Sequence, residues 1–336
     1  MQPKQSIAEQ VTASIIESLQ ANRIPWRRPW DEAGLSGHRN AITKKLYRGI
    51  NRLTLSLASQ KKGYPNPTWL TFRQALGLEG NVRKGEKAAH VFYWHFDELA
   101  KKNAAGEVTL KKRAWMKASA VFNVAQCDLP PDVVERLTAP PASFLELTDY
   151  ARADRLATRM NDWCAAQSIR CLAGDRACYS SSDDTVTMPP ESAFYTRGGY
   201  AVTLAHECAH ATGHHSRLDR VKGSRFGSGD YAREELVAEL ASAFLAAQYG
   251  IDAEDITTNR NAYIQSWIKA LQNDPNAIIV ASGAAEKAYA MLAEPSAVPD
   301  PEPEPEPETE SEPSTPTPTP TAPPIASVSD FPTLFA

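Results

Sequence analysis

The sequence contains no uninterrupted apolar stretch long enough to cross a membrane, and no Cys-x-x-Cys pair among its five cysteines. A membrane-spanning helix needs about 20 apolar residues, so none is predicted. The first residues place apolar side chains at helical spacing and lack the continuous apolar core of a signal peptide. An odd number of scattered cysteines argues against a disulfide framework and against a cysteine zinc knuckle. We therefore expect a soluble, cytoplasmic protein in a reducing compartment.

Charge is unevenly distributed along the 336 residues. Residues 294–336 contain no lysine or arginine and 9 acidic residues, whereas residues 1–130 contain 21 basic and 10 acidic residues, and residues 131–293 contain 15 basic and 21 acidic ones. A basic segment of this kind favours binding to a polyanion. The acidic segment 294–336 is rich in proline and has almost no apolar residues to bury, so we expect a disordered tail.

The basic segment mixes helical and extended patterns. Apolar residues at spacings of three and four predict a helix from Ile7 to Leu19. Another helix is predicted in NPTWLTFRQAL, with Thr68 as its N-cap. The stretches GNVRKGEKAAHVFYWHF and RAWMKASAVFNVAQC are rich in aromatic and β-branched residues, which indicates two strands flanking a polar hairpin or loop at about 97–112. We expect a mixed α and β domain over residues 1–130.

Paired prolines in DLPPDVVERLTAPPASF predict a linker at 131–145. Four later helical patterns, at about 145–167, 231–249, 261–271 and 276–292, predict a mainly helical second domain over residues 146–293. The stretch DTVTMPP indicates a short strand, which we expect at a sheet edge where an extended peptide could add. The fold class predicted for the whole chain is α+β.

The stretch TLAHECAHATGHH, residues 203–215, contains four of the seven histidines. On a helix, His206 and His210 lie one above the other and can share a cation, with Glu207 beside them. Zinc accepts imidazole nitrogen, and three protein ligands leave a fourth position for water, whose pKa falls to about 7. Glu207 can then accept the proton of that water and pass it to a leaving amine, which is the chemistry of an HExxH metallopeptidase.

The stretch YAREELVAELASAFLAAQYG offers a third ligand. Glu235 and Glu239 are four residues apart among apolar neighbours, and a buried carboxylate is costly unless a cation lies nearby. We predict Glu235 as the ligand and Glu239 as the group that orients a histidine by accepting its other N–H. Glu234 is expected to be solvated.

Other residues near the motif have less defined roles. A third histidine in the longer HExxHxxGxxH pattern would fall at Ser216, so that ligand set does not apply. His214 is compatible with steadying a transition state or with a surface role. Tyr195 and Tyr200 could supply a phenol to a developing oxyanion, although core packing is the simpler expectation. The structural alternative is a helix whose histidines only form ordinary hydrogen bonds.

Residues 26–94 interleave cations with aromatic side chains, a pattern typical of proteins that bind phosphates and stack unpaired bases. Such binding weakens as salt rises. The candidate DNA-binding residues are Trp26, Arg27, Arg28, Trp30, Lys44, Lys45, Arg48, Arg52, Arg73, Arg83, Lys84 and Lys87.

Four segments together resemble the ArdC family of plasmid-borne antirestriction proteins: IPWRRPW, TWLTFRQALGLEGNVRKGEKAAHVFYW, TLAHECAHATGHHSRLDR and YAREELVAELASAFL. The resemblance covers roughly residues 5–292. It implies an N-terminal domain that binds single-stranded DNA and a C-terminal zincin-like metallopeptidase domain. It also implies that His206 and His210 hold the metal, that Glu207 is catalytic, and that the region of Glu235 supplies the acidic ligand. The tail, 294–336, matches nothing in that family.

The resemblance therefore implies an antirestriction protein that binds single-stranded DNA and protects incoming plasmid DNA during conjugation. The predicted cofactor is zinc, with manganese as the alternative, and a restriction-system protein is the predicted target. The competing hypothesis is a binding protein without turnover, which shields DNA by occupancy while the metal braces the fold. A similar N-terminal domain accompanies plasmid primases, so that half alone does not define the activity.

Overall fold

The computed structural model describes residues 6–21, 23–26, 37–102, 108–139, 147–220, 229–251 and 260–293. The predicted tail at 294–336 lies outside these residues, as do Arg27, Arg28 and Trp30 of the predicted DNA-binding set. No helix among the described residues is long and apolar enough to span a membrane.

The N-terminal part begins with helix α1 (Ile7–Gln20) and continues with helix α2 (Ile50–Lys62). A capping box defines the start of α1, because the Ser6 hydroxyl accepts from the backbone N–H of Glu9 and the Glu9 carboxylate accepts from that of Ser6. Helix α2 ends at Gly63, which adopts the left-handed conformation that glycine tolerates best.

A four-stranded sheet lies beside these helices in the order β1 (Arg39–Asn40), β2 (Thr68–Leu70), β5 (Val108–Asn123) and β4 (Ala89–Lys102). Strands β1 and β2 are parallel, and the other pairs are antiparallel. Strands β4 and β5 pair from Ala89 opposite Val121 to Lys102 opposite Val108. The polar hairpin or loop predicted at about 97–112 is therefore mostly paired strand.

The predicted helix start at Thr68 is wrong. Thr68 belongs to strand β2, which pairs on both sides and is completely buried, and the Trp69 indole donates a hydrogen bond to His38. Helix α3 (Phe72–Gly77) begins directly after this strand, where Thr71 and Gln74 form the capping box. Threonine serves equally well in a strand and at a cap, so the local sequence did not distinguish the two positions.

Part of the segment predicted as a linker is regular structure. A small antiparallel pair, β3 (Asn81–Val82) with β6 (Cys127–Asp128), leads into helix α4 (Pro131–Thr138). Val133 and Leu137 of α4 are buried against the N-terminal domain. Residues 131–139 therefore pack against the N-terminal domain and do not form a flexible linker. The other predicted domain boundaries remain predictions.

The C-terminal part is mainly helical, as the sequence predicts. It contains α5 (Asp149–Ala166), α6 (Arg197–Ala211), α7 (Gly229–Tyr249), α8 (Arg260–Asn273) and α9 (Ala277–Leu292). Its small sheet has the strand order β7 (Arg170–Ala173), β9 (Thr185–Met188), β8 (Cys178–Ser180). The α+β fold class is therefore confirmed.

Strand β9, which contains the DTVTM stretch, is the central strand of this sheet and not the expected edge. It pairs in parallel with β7 and antiparallel with β8, so both of its backbone edges are occupied. A peptide could add only at β7 or β8. The two flanking strands are only four and three residues long, and their sequences did not reveal that they would cover β9.

Helices from both halves of the chain share one apolar core. Ile15 of α1 and Leu53 of α2 are completely buried in the same cluster as Leu204 of α6 and Leu240 of α7. Burial of one such side chain contributes about 1.5–3 kcal/mol. The N-terminal helices therefore brace the helices that carry the histidine motif, and the two predicted domains are not separate in this region.

Candidate metal centre

Helix α6 carries the HExxH stretch, and both of its ends are defined by side chains. The Thr196 hydroxyl accepts from the backbone N–H of Gly199 at the start. At the other end, Arg217 donates to the carbonyl of Ala211 and Arg220 donates to that of Ala209, which places two cations at the last carbonyls of the helix. The helix is thus fixed at both ends.

His206, His210 and Glu235 come together between α6 and α7. Their ligand atoms all lie within 4.8 Å of one another. The two Nε2 atoms of the histidines are 3.2 Å apart, His206 Nε2 is 3.5 Å from Glu235 Oε2, and His210 Nε2 is 3.6 Å from Glu235 Oε1. The helical spacing of the histidines and the burial of Glu235 produce this cluster, as the sequence predicts.

The spacing of these atoms fits a small divalent ion. Two nitrogens bound at 2.0–2.1 Å around a tetrahedral centre lie about 3.3 Å apart, close to the observed 3.2 Å between the histidine nitrogens. Two imidazoles and one carboxylate are a donor set that zinc and manganese both accept. Three ligands leave a further coordination position open.

The electrostatics of the cluster also favour a cation. Burial alone would lower the pKa of His210, but the Glu234 and Glu235 carboxylates raise it to about 10. Burial would raise the pKa of Glu235, but hydrogen bonds from His206 and His210 hold it well below its usual range. The carboxylates therefore keep positive charge at the position where a metal ion would replace a proton.

Each histidine also faces a second carboxylate through its outer nitrogen. His206 Nδ1 lies 3.9 Å from Glu239 Oε2, and His210 Nδ1 lies 3.6 Å from Glu234 Oε1. Carboxylates in this position fix the ring orientation and the tautomer of a metal-binding histidine. Glu239, predicted to accept from a histidine's other N–H, faces Nδ1 of His206, and Glu234 faces Nδ1 of His210 in the same way.

The expectation that Glu234 is solvated is wrong. Its carboxylate receives two hydrogen bonds from Arg220, at 2.9 and 3.2 Å, and is largely buried. Hydrogen bonds and charge from His210 and Arg220 overcome the effect of burial and lower the pKa of Glu234. Arg220 reaches it from the segment after α6, and that approach across the fold is not visible in the local sequence.

Trp26, predicted to contact DNA, instead belongs to the surroundings of the metal cluster. Its indole N–H donates to Glu239 Oε1 at 3.4 Å, and its ring packs edge-on against Trp267 with centroids 5.4 Å apart. The side chain is buried. The sequence did not predict the burial of Trp26, because a tryptophan next to arginines can either stack on bases or fill a core.

Glu207 is 8% exposed and follows His206 on the same helix. Its charge contributes to the raised pKa of His210, which places it beside the cluster. Tyr195 is almost fully exposed and therefore does not pack in the core, whereas Tyr200 packs on Phe194 and is half-buried. Glu207 is thus a buried carboxylate that lies beside the cluster without being one of its three ligand residues.

His214 lies outside the cluster of ligand atoms. Its Nδ1 is 2.8 Å from the Ser216 hydroxyl, and its ring contacts that of His215. These contacts support a local role at the end of the motif and no role as a metal ligand.

The other candidate DNA-binding residues divide into buried and exposed groups. Arg52 is buried between the rings of Phe244 and Tyr289 and forms an ion pair with Glu286, so it cannot reach a phosphate. This corrects its assignment; a cation that joins two packed helices cannot be recognised from neighbouring residues. The exposed ones are Lys44, Lys45, Arg48, Arg73, Arg83, Lys84 and Lys87. Arg83 already pairs with Glu86 and Asp128.

The histidine-bearing helix, its acidic partner helix and the small sheet define the class of the C-terminal part. Residues 158–284 match a family described as zincin-like metallopeptidase. Residues 5–122 match the N-terminal domain of anti-restriction factor ArdC.

Solved structures and curated relatives extend this match. The metal-free crystal structure of the antirestriction ArdC protein from plasmid R388 is similar with a TM-score of 0.68 and 34% identity, over 86% of this chain and 97% of that chain. The Mn(II)-bound form has a TM-score of 0.65 and 33% identity over the same shares. The chain belongs to the ArdC family of antirestriction proteins, as the sequence resemblance predicts.

Among curated relatives, a DNA primase TraC of Escherichia coli is 34% identical over 86% of this chain. The chain spans only 20% of that primase's length. The uncharacterized protein y4eC of Sinorhizobium fredii is 34% identical, over 84% of this chain and 89% of its own length.

Proposed function

We propose that this chain is an antirestriction protein that binds single-stranded DNA and cleaves a protein with a divalent-metal peptidase site. The observation that carries the proposal is the His206, His210 and Glu235 cluster with Glu207 beside it. It occurs in a chain whose N-terminal 130 residues are strongly basic. The two features together fit an enzyme that acts on proteins near DNA.

His206, His210 and Glu235 would hold the ion, which we propose to be Zn²⁺, with Mn²⁺ as the alternative that the R388 relative's Mn(II)-bound structure suggests. A bound ion of this kind polarises a peptide carbonyl and makes water acidic at neutral pH. Glu239 and Glu234 orient the two histidine rings. Glu207 accepts a proton from the attacking water and returns it to the leaving amine.

The DNA-binding part of the proposal rests on charge. Exposed lysines and arginines of the N-terminal part would contact phosphates, and binding would weaken as salt rises. The setting that fits this combination is conjugation, in which plasmid DNA enters a recipient's cytoplasm as a single strand. A protein of the host restriction system is the proposed substrate, because its cleavage beside the incoming strand would protect the plasmid.

A second candidate function is protection by occupancy alone. Helices α1 and α2 share a core with the helices that carry the metal ligands. An ion between α6 and α7 would therefore also stabilise the N-terminal helices, and it could be structural. In this case, DNA is shielded without any cleavage.

Glu207→Gln separates the two candidates. The variant keeps all three ligands, so it should bind metal like the parent. It should no longer cleave restriction enzyme subunits, and mass spectrometry of those subunits detects the cleavage. Transfer of unmodified plasmid into a restricting recipient should fall to the level without the protein. Glu135→Gln, an exposed change on α4, is the matched control and should leave transfer unaffected. Full protection by Glu207→Gln would overturn the peptidase role and favour occupancy.

A further inference from the structure

Helix α3 exposes two large apolar side chains on the N-terminal domain. Phe72 is 48% exposed and Leu76 is 52% exposed. They are four residues apart and therefore share one face of the helix. Exposed apolar side chains grouped on one face often mark a binding surface.

The position of helix α3 is fixed by one buried residue and by its cap. Ala75 is completely buried against Ala41 and Leu70, and the Thr71–Gln74 capping box fixes where the helix begins. The helix is therefore anchored through Ala75, while Phe72 and Leu76 remain 48% and 52% exposed on the adjoining side of the same helix.

The loop at residues 41–45 lies beside α3. The Asn40 side chain accepts hydrogen bonds from the backbone N–H groups of Ile42 and Thr43, and it donates one to Gln74 Oε1 at 3.1 Å. Ile42 is 46% exposed. The amide pair of Asn40 and Gln74 therefore ties the exposed loop to the helix that carries Phe72.

The same loop and helix also carry exposed cations. Lys44, Lys45 and Arg73 are exposed. Burial, and then the nearby charges of Arg39 and Arg136, lower the pKa of Lys44. Strand β1, the loop and helix α4 thus bring like charges together, and such a place attracts an anion.

We propose that single-stranded DNA binds at this loop–α3 surface, with a base stacked on Phe72 and phosphates at the neighbouring cations. The surface is formed by Ile42, Lys44, Lys45, Phe72, Arg73 and Leu76. The inference rests on the proposed DNA binding and adds its location. A duplex hides the faces of its bases, whereas a single strand can place them on an exposed ring.

The stacking step is tested by binding of the full chain to a fluorescent oligothymidine of about 20 nucleotides, a length that exceeds one typical binding site. Phe72→Leu keeps an apolar side chain and removes the ring; Phe72→Tyr keeps the ring and is the matched control. The Kd measured by anisotropy should rise about fivefold or more for Phe72→Leu, the low end of the effect of losing one stacked base. Phe72→Tyr should bind like the parent.

The phosphate contacts are tested by changing two pairs of lysines. Lys44→Gln with Lys45→Gln removes two charges from the loop–α3 surface, and Lys61→Gln with Lys62→Gln removes two exposed charges from the end of α2. The slope of log affinity against log salt should fall in magnitude by about 1.4 for the first pair, since each single-strand phosphate contact contributes about 0.7. The second pair should keep the parental slope.

The outcomes separate this inference from the proposed function. If Phe72→Leu and the variant with Lys44→Gln and Lys45→Gln both bind like the parent, the proposed location is wrong, while DNA binding itself stands. Failure of the unmodified chain to bind the oligonucleotide would overturn the proposed DNA binding itself. Equal affinity of the unmodified chain for a duplex of the same length would show that a stacked single strand is the wrong occupant.

Discussion

The indole N–H of Trp26 donates a hydrogen bond to Glu239, whose other carboxylate oxygen faces Nδ1 of His206. This contact links the N-terminal part of the chain to a histidine of the metal cluster. A residue that precedes the two arginines of the WRRPW stretch therefore helps to hold a ring on α6. The two halves of the chain are joined at the place where the proposed chemistry occurs.

Trp26→Phe should weaken metal binding without unfolding the chain. The change removes the N–H that fixes Glu239 and keeps most of the buried ring. Loss of a carboxylate partner typically lowers metal affinity 10- to 100-fold, and Trp26 acts one contact further out, so we expect a loss of about two- to fivefold. Competition with a zinc-sensitive dye gives the affinity. Trp267→Phe, which alters the ring packed against Trp26 and keeps the Trp26 indole that donates to Glu239, is the control; an equal loss in both variants would indicate packing alone.

Glu234→Gln should destabilise the fold strongly. The substitution removes the charge that Arg220 and His210 both face, and breaking a largely buried ion pair costs about 3–5 kcal/mol. The free energy of unfolding, measured by urea denaturation in a metal chelator, should fall accordingly. Asp230→Asn disrupts an exposed pair with Arg233 and should cost less than about 1 kcal/mol. Similar stabilities for the two variants would contradict the structural role of Glu234.

His38 should make stability depend on pH. Burial, and secondarily the charge of Arg52, lower the pKa of His38 to about 3, below the value of about 6.5 in an unfolded chain. The unfolded state therefore binds a proton first as pH falls, so the contribution is complete above pH 6.5 and is lost towards pH 3.

The measurement is the urea midpoint at pH 7.5 and at pH 5, for the unmodified chain and for His38→Gln. Glutamine can accept the hydrogen bond from Trp69 and does not titrate. The unmodified chain should lose more stability between the two values than the variant does. An identical loss in both would assign the pH effect to other groups.

The sequence predicted those parts of the site that depend on local periodicity. His206 and His210 share a helix face by their spacing, and Glu235 and Glu239 do so on the next helix. The same reasoning predicted helices α5, α7, α8 and α9 and the α+β class. These features are determined by residues three or four positions apart, which is the range that sequence patterns describe well.

The sequence did not reveal features that depend on distant partners. Glu234 differs from its neighbours only because Arg220 reaches it, and Arg52 is buried only because α2 meets the helices of Phe244 and Tyr289. Strand β9 becomes central only when β7 and β8 pair with it. A residue's own neighbours carry no record of such contacts, so charged and aromatic residues near one another suggested DNA binding for positions that are in fact buried.

The central claim is that His206, His210 and Glu235 hold one divalent ion. The most direct test is the metal content, by mass spectrometry, of the full chain stripped with chelator, saturated with zinc and freed of excess ion. We expect about one ion per chain in the unmodified protein and in the His214→Ala control. His206→Ala and Glu235→Ala should retain almost none. A chain without zinc in its unmodified form, or full occupancy in both ligand variants, would contradict the account.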